Sequence, residues 1–116
     1  MLAIGPAQKI TIYLNDDVSS KTTFLHEQVL QFLLERGVAG ATLLRVQAGF
    51  GAHHHLHTAG AAGVGGEHLS VRIEFIESEE TVKALLPALS ELVTDGLIES
   101  QSTTILKVAV GNAERL

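Results

Sequence analysis

The residues of this chain best suited to chemistry are gathered in one run, Ala48-Gly49-Phe50-Gly51-Ala52-His53-His54-His55-Leu56-His57-Thr58, which leads into a glycine-rich stretch from 59 to 66. Two chemistries suit it. Gly49 and Gly51 have no Cβ, so they accept positive φ and let backbone N–H groups come close to an anion. Arg45 stands a few residues upstream on a strand-like stretch, and together these residues can hold a phosphate. No Lys-Ser/Thr of the Walker kind follows. The same glycines also suit a bulge or tight turn that ends the strand, with Phe50 packed at an interface.

The imidazoles offer the second chemistry. In an extended chain His53, His55 and His57 share a face and His54 points away; in a helix His53 and His57 stand at i and i+4. Either arrangement can bind Zn²⁺, Ni²⁺ or Cu²⁺ through neutral imidazoles. No carboxylate close in sequence completes the set, since Glu67 and His68 lie across the glycine stretch. The sharpest version is a site between subunits, with histidines gathered about a three-fold axis. The competing reading is a solvated polar loop. His26, on a helical stretch, reads as exposed. Lys9 and Arg72 on strands, and Lys107 and Arg115 near the C-terminus, read as a solvated sheet edge or as cations that reach a neighbouring subunit's cleft.

Catalysis finds little support. There is no cysteine and no Ser-His-Asp pattern on a nucleophile elbow; the acid–base pairs on offer are His57 with Glu67 or Glu74. The expectation is a protein that is not an enzyme and needs no cofactor. A net charge of −5 with eight scattered basic residues argues against nucleic acid. No disulfide framework or thiolate zinc site is available. No apolar run approaches the ~20 residues that span a bilayer. No basic region followed by an apolar block opens the chain. These features set the expectation of a cytoplasmic protein without membrane insertion.

The elements that must position these residues follow from hydrophobic period. The 116 residues, 46% of them hydrophobic and only 4% aromatic, suit one domain over 1–116 whose core is Leu, Val, Ile and Ala. Few large rings make oligomerisation a ready source of extra burial. Lys9 to Leu14 alternates with period two and reads as a strand, ended by Asn15-Asp16-Asp17. Leu25, Val29, Phe32 and Leu33 fall on one face of a helix over 24–36, with Thr22 or Thr23 as its cap and Gly37 as its left-handed stop. Thr42 to Ala48 reads as a strand. A flexible loop over about 49–68 follows, long enough to be functional.

Leu69, Val71, Ile73 and Phe75 alternate in the clearest strand of the chain. Ser78 caps a second helix with a stripe of Val82, Leu85, Leu86, Leu89, Leu92 and Val93, in which Pro87 predicts a kink or a break. Gly96 marks its stop, Leu97 to Glu99 can add a short extended piece, and Thr104 to Val110 reads as the last strand. The order βαββαβ predicts an α+β, ferredoxin-like domain. It has a four-stranded antiparallel sheet, two helices on one face and a long loop after strand 2. Ile10, Ile12 and Leu14 face the helices; the mixed set Lys9, Thr11 and Tyr13 suits a subunit interface.

Several of these segments together resemble a known family. They are Ile10-Thr11-Ile12-Tyr13-Leu14, the segment Gly37 to Arg45, Ala48-Gly49-Phe50-Gly51, His57-Thr58, Val71 to Ile76 and Leu85-Leu86-Pro87. In this order, from about Ala7 to Val110, the chain resembles the PII-like proteins of the domain of unknown function 190 family. Val46 stands where a glycine is usual in that family, and His53, His54 and His55 are not part of its pattern. The resemblance implies a ferredoxin-like subunit that assembles as a homotrimer. It also implies a signalling protein whose loop contacts a target, such as a membrane transporter or an enzyme. Its effector is small and anionic, commonly an adenine nucleotide, and binds in clefts between subunits near the loop base. On that implication the effector residues are Arg45, Gly49, Phe50, Gly51, His57 and Thr58. The alternative is a trimer that takes a divalent metal on His53, His55 and His57.

Overall fold

The computed structural model describes residues 2–17, 25–45, 48–49, 57–58 and 68–111. Its elements are β1 (Gly5–Asp17), α1 (Leu25–Glu35), β2 (Thr42–Arg45), β3 (Ala48–Gly49), β4 (His57–Thr58), β5 (His68–Glu77), α2 (Glu79–Leu92) and β6 (Gly96–Ile105). One antiparallel sheet runs in the order β2-β5-β1-β6, and β3 pairs with β4 in a separate two-stranded ladder. The long strands are the two central ones and β6; β2 is a short edge. This is the expected ferredoxin-like arrangement of four strands and two helices.

Alternation decides which face is closed. Ile10, Ile12 and Leu14 of β1 stand beside Val71, Ile73 and Phe75 of β5, and all six are buried. Val29 and Leu33 of α1 and Leu85 and Leu89 of α2 complete the same core. Burying each such side chain contributes about 1.5–3 kcal/mol. The opposite parity carries Lys9, Thr11 and Tyr13, and among the described residues no helix covers it.

The termini of α1 and α2 follow capping chemistry. Gly37 has φ 78°, its N–H donates to the Leu34 carbonyl, and the Val38 N–H donates to the Leu33 carbonyl. This pair of bonds is the Schellman stop, and Val38 packs on the core beside Leu33. The expected caps Thr22 and Thr23 lie outside the described residues. Ser78 accepts a bond from the Thr81 N–H at 3.2 Å and starts α2. Pro87 lies inside α2 without breaking it. Its ring is exposed, so the cost falls on one helical bond at the solvent side. Leu86 is exposed as well, 100° round the helix from the buried Leu85 and outside the stripe expected for it.

Four expectations are corrected. β1 does not end at Asn15-Asp16-Asp17 but runs through them, in register with Ser70, Leu69 and His68. The Asn15 amide and side chain bond Asp95 instead of their own turn. The last strand is Gly96–Ile105, not Thr104–Val110. Its middle, Glu99-Ser100-Gln101-Ser102, is polar and exposed along a sheet edge, so no hydrophobic alternation announces it; pairing with β1 forms it. Gly96 begins that strand, because a Cβ there would meet the Tyr13 carbonyl of β1. Finally, His26 is buried rather than exposed. It precedes Val29 by three residues and Leu33 by seven, which places it on the same inward stripe.

Candidate effector site

The sequence run singled out above is rooted by the small ladder. Gly49 stands opposite His57 and Ala48 opposite Thr58, so two of the expected effector residues face each other across one backbone register. The ladder lies against β5. Arg45 ends β2, four residues before Gly49, and is exposed. It is in register with Val71, as Leu43 is with Ile73, so its side chain leaves the sheet on the helix-bearing side. Phe50, Gly51, His53 and His55 lie outside the described residues. Among the described residues no three His, Asp or Glu side chains come together as a metal site.

A second concentration of polar groups lies on the uncovered face. In one row across the sheet Leu44, Arg72, Tyr13 and Leu97 stand in register on β2, β5, β1 and β6. The next row carries Thr42, Glu74, Thr11 and Glu99. Glu74 is the hub: its Oε1 lies 3.9 Å from Lys9 Nζ and its Oε2 lies 3.3 Å from Arg72 Nε. Such half-exposed pairs contribute little to stability, so their value lies in placing charge. Arg72 Nε is shut off from solvent and has no aligned hydrogen-bond acceptor. Lys9 and Arg72 therefore belong to central strands, not to a solvated sheet edge. Lys107 follows β6 and is exposed, while Arg115 lies outside the described residues.

Beside this network opens a cavity of about 370 Å³ lined by Leu2, Lys9, Gly40, Thr42, Glu74 and Ile76 among others. That volume falls in the range of small-molecule pockets. It offers a cation, a carboxylate, a hydroxyl and backbone groups over an apolar floor. Period-based reading missed it because its residues come from four separate segments, Leu2 ahead of β1, β1 itself, the α1–β2 link with the start of β2, and β5, joined only by the fold. The one hint was compositional, the Gly40-Ala41-Thr42 step.

An open antiparallel sheet ordered β2-β5-β1-β6, with two helices on one side and the small β3–β4 ladder after β2, defines a ferredoxin-like subunit. Solved structures agree in fold. The nitrogen regulatory PII-like protein CPII from Thiomonas intermedia K12, bound to ADP, AMP and bicarbonate, is 19% identical. The match covers 92% of this chain and 94% of that one, with a TM-score of 0.68. The apo form of the same protein gives a TM-score of 0.58 at 18% identity over 89% of this chain and 95% of that one. CutA from Synechococcus elongatus PCC7942 gives 0.55 at 15% identity, over 91% and 81% respectively. The model of the DUF190 family, described as Uncharacterized ACR, COG1993, matches residues 7–105, and the chain belongs to that family. Among the described residues no helix is long and apolar enough to cross a membrane.

Proposed function

We propose that this protein is a PII-like regulatory subunit that binds an adenine nucleotide in a cleft between subunits and reports it to a target protein through the segment 49–68. The observation that carries this reading is the cavity on the uncovered sheet face. It is open on one side and combines Lys9, Thr42, Gly40 and Glu74 over an apolar floor. Support comes from CPII, a protein of the same fold solved with ADP and AMP. In this reading Thr42, Gly40 and Glu74 meet the polar edge of the base, and Leu2 and Ile76 its face. Lys9 supplies positive charge on the phosphate side.

A homotrimer completes the cleft. A neighbouring subunit brings its own Arg45 and the Gly49–His57 root, together with Phe50, Gly51 and Thr58, so that phosphates meet an arginine and glycine N–H groups. Occupancy then biases the loop between conformers that differ in affinity for the target, such as a membrane transporter. The activity is regulation, not catalysis. A thermal-shift series with ATP, ADP, AMP and cyclic AMP tests it, because a ligand that binds only the native state raises the melting temperature by mass action. The expected result is a rise selective for one or two adenine nucleotides. No rise with any of them sinks the reading.

A further inference from the structure

One buried charge has no part in the site as described so far. The alternation that buries Val71, Ile73 and Phe75 continues to Glu77, which ends β5 on the core side and is 4% exposed. A carboxylate there gives up hydration and needs a partner. It has one across the fold: Glu77 Oε2 accepts the Ala39 backbone N–H at 2.8 Å, thirty-eight residues away in sequence. A bond of that length to a charged acceptor is of the strong class.

The position of Ala39 gives the bond its meaning. Residues 38–41 link the Schellman stop of α1 to the first residue of β2, and they form a thin wall. On one side Ala39 and Gly40 line the cavity that holds Lys9, Thr42 and Glu74. On the other, Val38 to Ala41 line a second cavity of about 240 Å³ with Leu30, Leu33 and Leu34. A wall with space behind it can retreat. The Schellman bonds fix it only as far as Val38, and the β2 ladder begins at Thr42. Between these anchors, the Glu77 carboxylate holds the wall through its bond to the Ala39 N–H.

We infer that Glu77 is a positioning residue for ligand binding: its carboxylate clamps the 38–41 segment and so sets the shape of the cavity. The inference rests on the effector reading above and adds the residue that controls its affinity. Glu77 also directly precedes Ser78, which caps α2, so the clamp joins the end of α1 to the start of α2 at the cavity's rim.

The test compares wild type, Glu77→Leu and Glu77→Gln by calorimetric titration with ADP, with amide hydrogen exchange followed over 38–42. Leucine fills a similar volume but leaves the Ala39 N–H without its acceptor, so a lower melting temperature is expected alongside loss of the clamp. Glutamine keeps a carbonyl acceptor. The expected result for Glu77→Leu is a melt that stays cooperative at a lower temperature, faster exchange at Ala39, and ADP affinity lower by about tenfold, the size of one lost bond to a charged group. Glu77→Gln should restore most of both. If wild type and Glu77→Leu bind ADP equally well, the clamp is wrong and the effector reading stands. If wild type itself takes no ADP, the effector reading fails and this dependence on it falls too. Unchanged exchange at Ala39 in Glu77→Leu also overturns the clamp.

Discussion

The two faces of the sheet are built from the same strands and differ in almost everything else. On one, Ile10, Ile12 and Leu14 of β1 and Val71, Ile73 and Phe75 of β5 alternate inward, and two helices seal them. On the other, the rows read Leu44-Arg72-Tyr13-Leu97 and Thr42-Glu74-Thr11-Glu99, with Leu97 58% exposed and Tyr13 38%. The closed face accounts for folding. The open face keeps apolar groups and charges in an arrangement that folding does not require, and there the proposed subunit contacts and ligand cavity lie.

Substitutions on the two faces should therefore fail differently. The largest effect is expected at Ile12, fully buried against the helices. Ile12→Ala should lose about 2–5 kcal/mol of stability, read from urea unfolding, and a loss no greater than that of a surface change would mean the closed face is not the core. Gly96→Ala comes next. Its Cβ would press on the Tyr13 carbonyl and prise β6 from β1, at about 1–3 kcal/mol. Wild-type stability in this variant would show that the edge pairing has slack. Leu97→Asp should matter least to the subunit itself, within about 0.5 kcal/mol, with its circular dichroism unchanged. What should change is association: sedimentation should move from trimer to monomer, and an unmoved boundary would remove this face from the subunit contact.

The two faces also differ in how much the sequence reveals of them. Strict alternation from Val71 to Phe75, the helical spacing of Val29 and Leu33, and Gly37 after α1 give the order of elements, because packing and capping act locally. β6 escapes that reading: Glu99 to Ser102 carry no hydrophobic signal, and their strand state comes from β1 alongside. Asn15 to Asp17 mislead for the same reason, since ladder pairing with β5 outweighs their turn preference. The polar type of His26 points outward, while its spacing from Val29 and Leu33 puts it inward. At the site, Arg45, Gly49 and His57 stand out by residue type, and the β3–β4 register does set Gly49 against His57. The cavity does not stand out, because Lys9, Gly40, Thr42 and Glu74 converge only after folding. Glu77 was legible in principle, as the one charge on an otherwise apolar parity.

The most direct test is calorimetric titration of ADP into wild type and into Leu97→Asp under conditions where the variant is monomeric. Saturable binding by wild type with none by the monomer is the predicted result, since in the proposed assembly a second subunit closes the cleft. Equal binding by the folded monomer would contradict the claim that the open face completes the site.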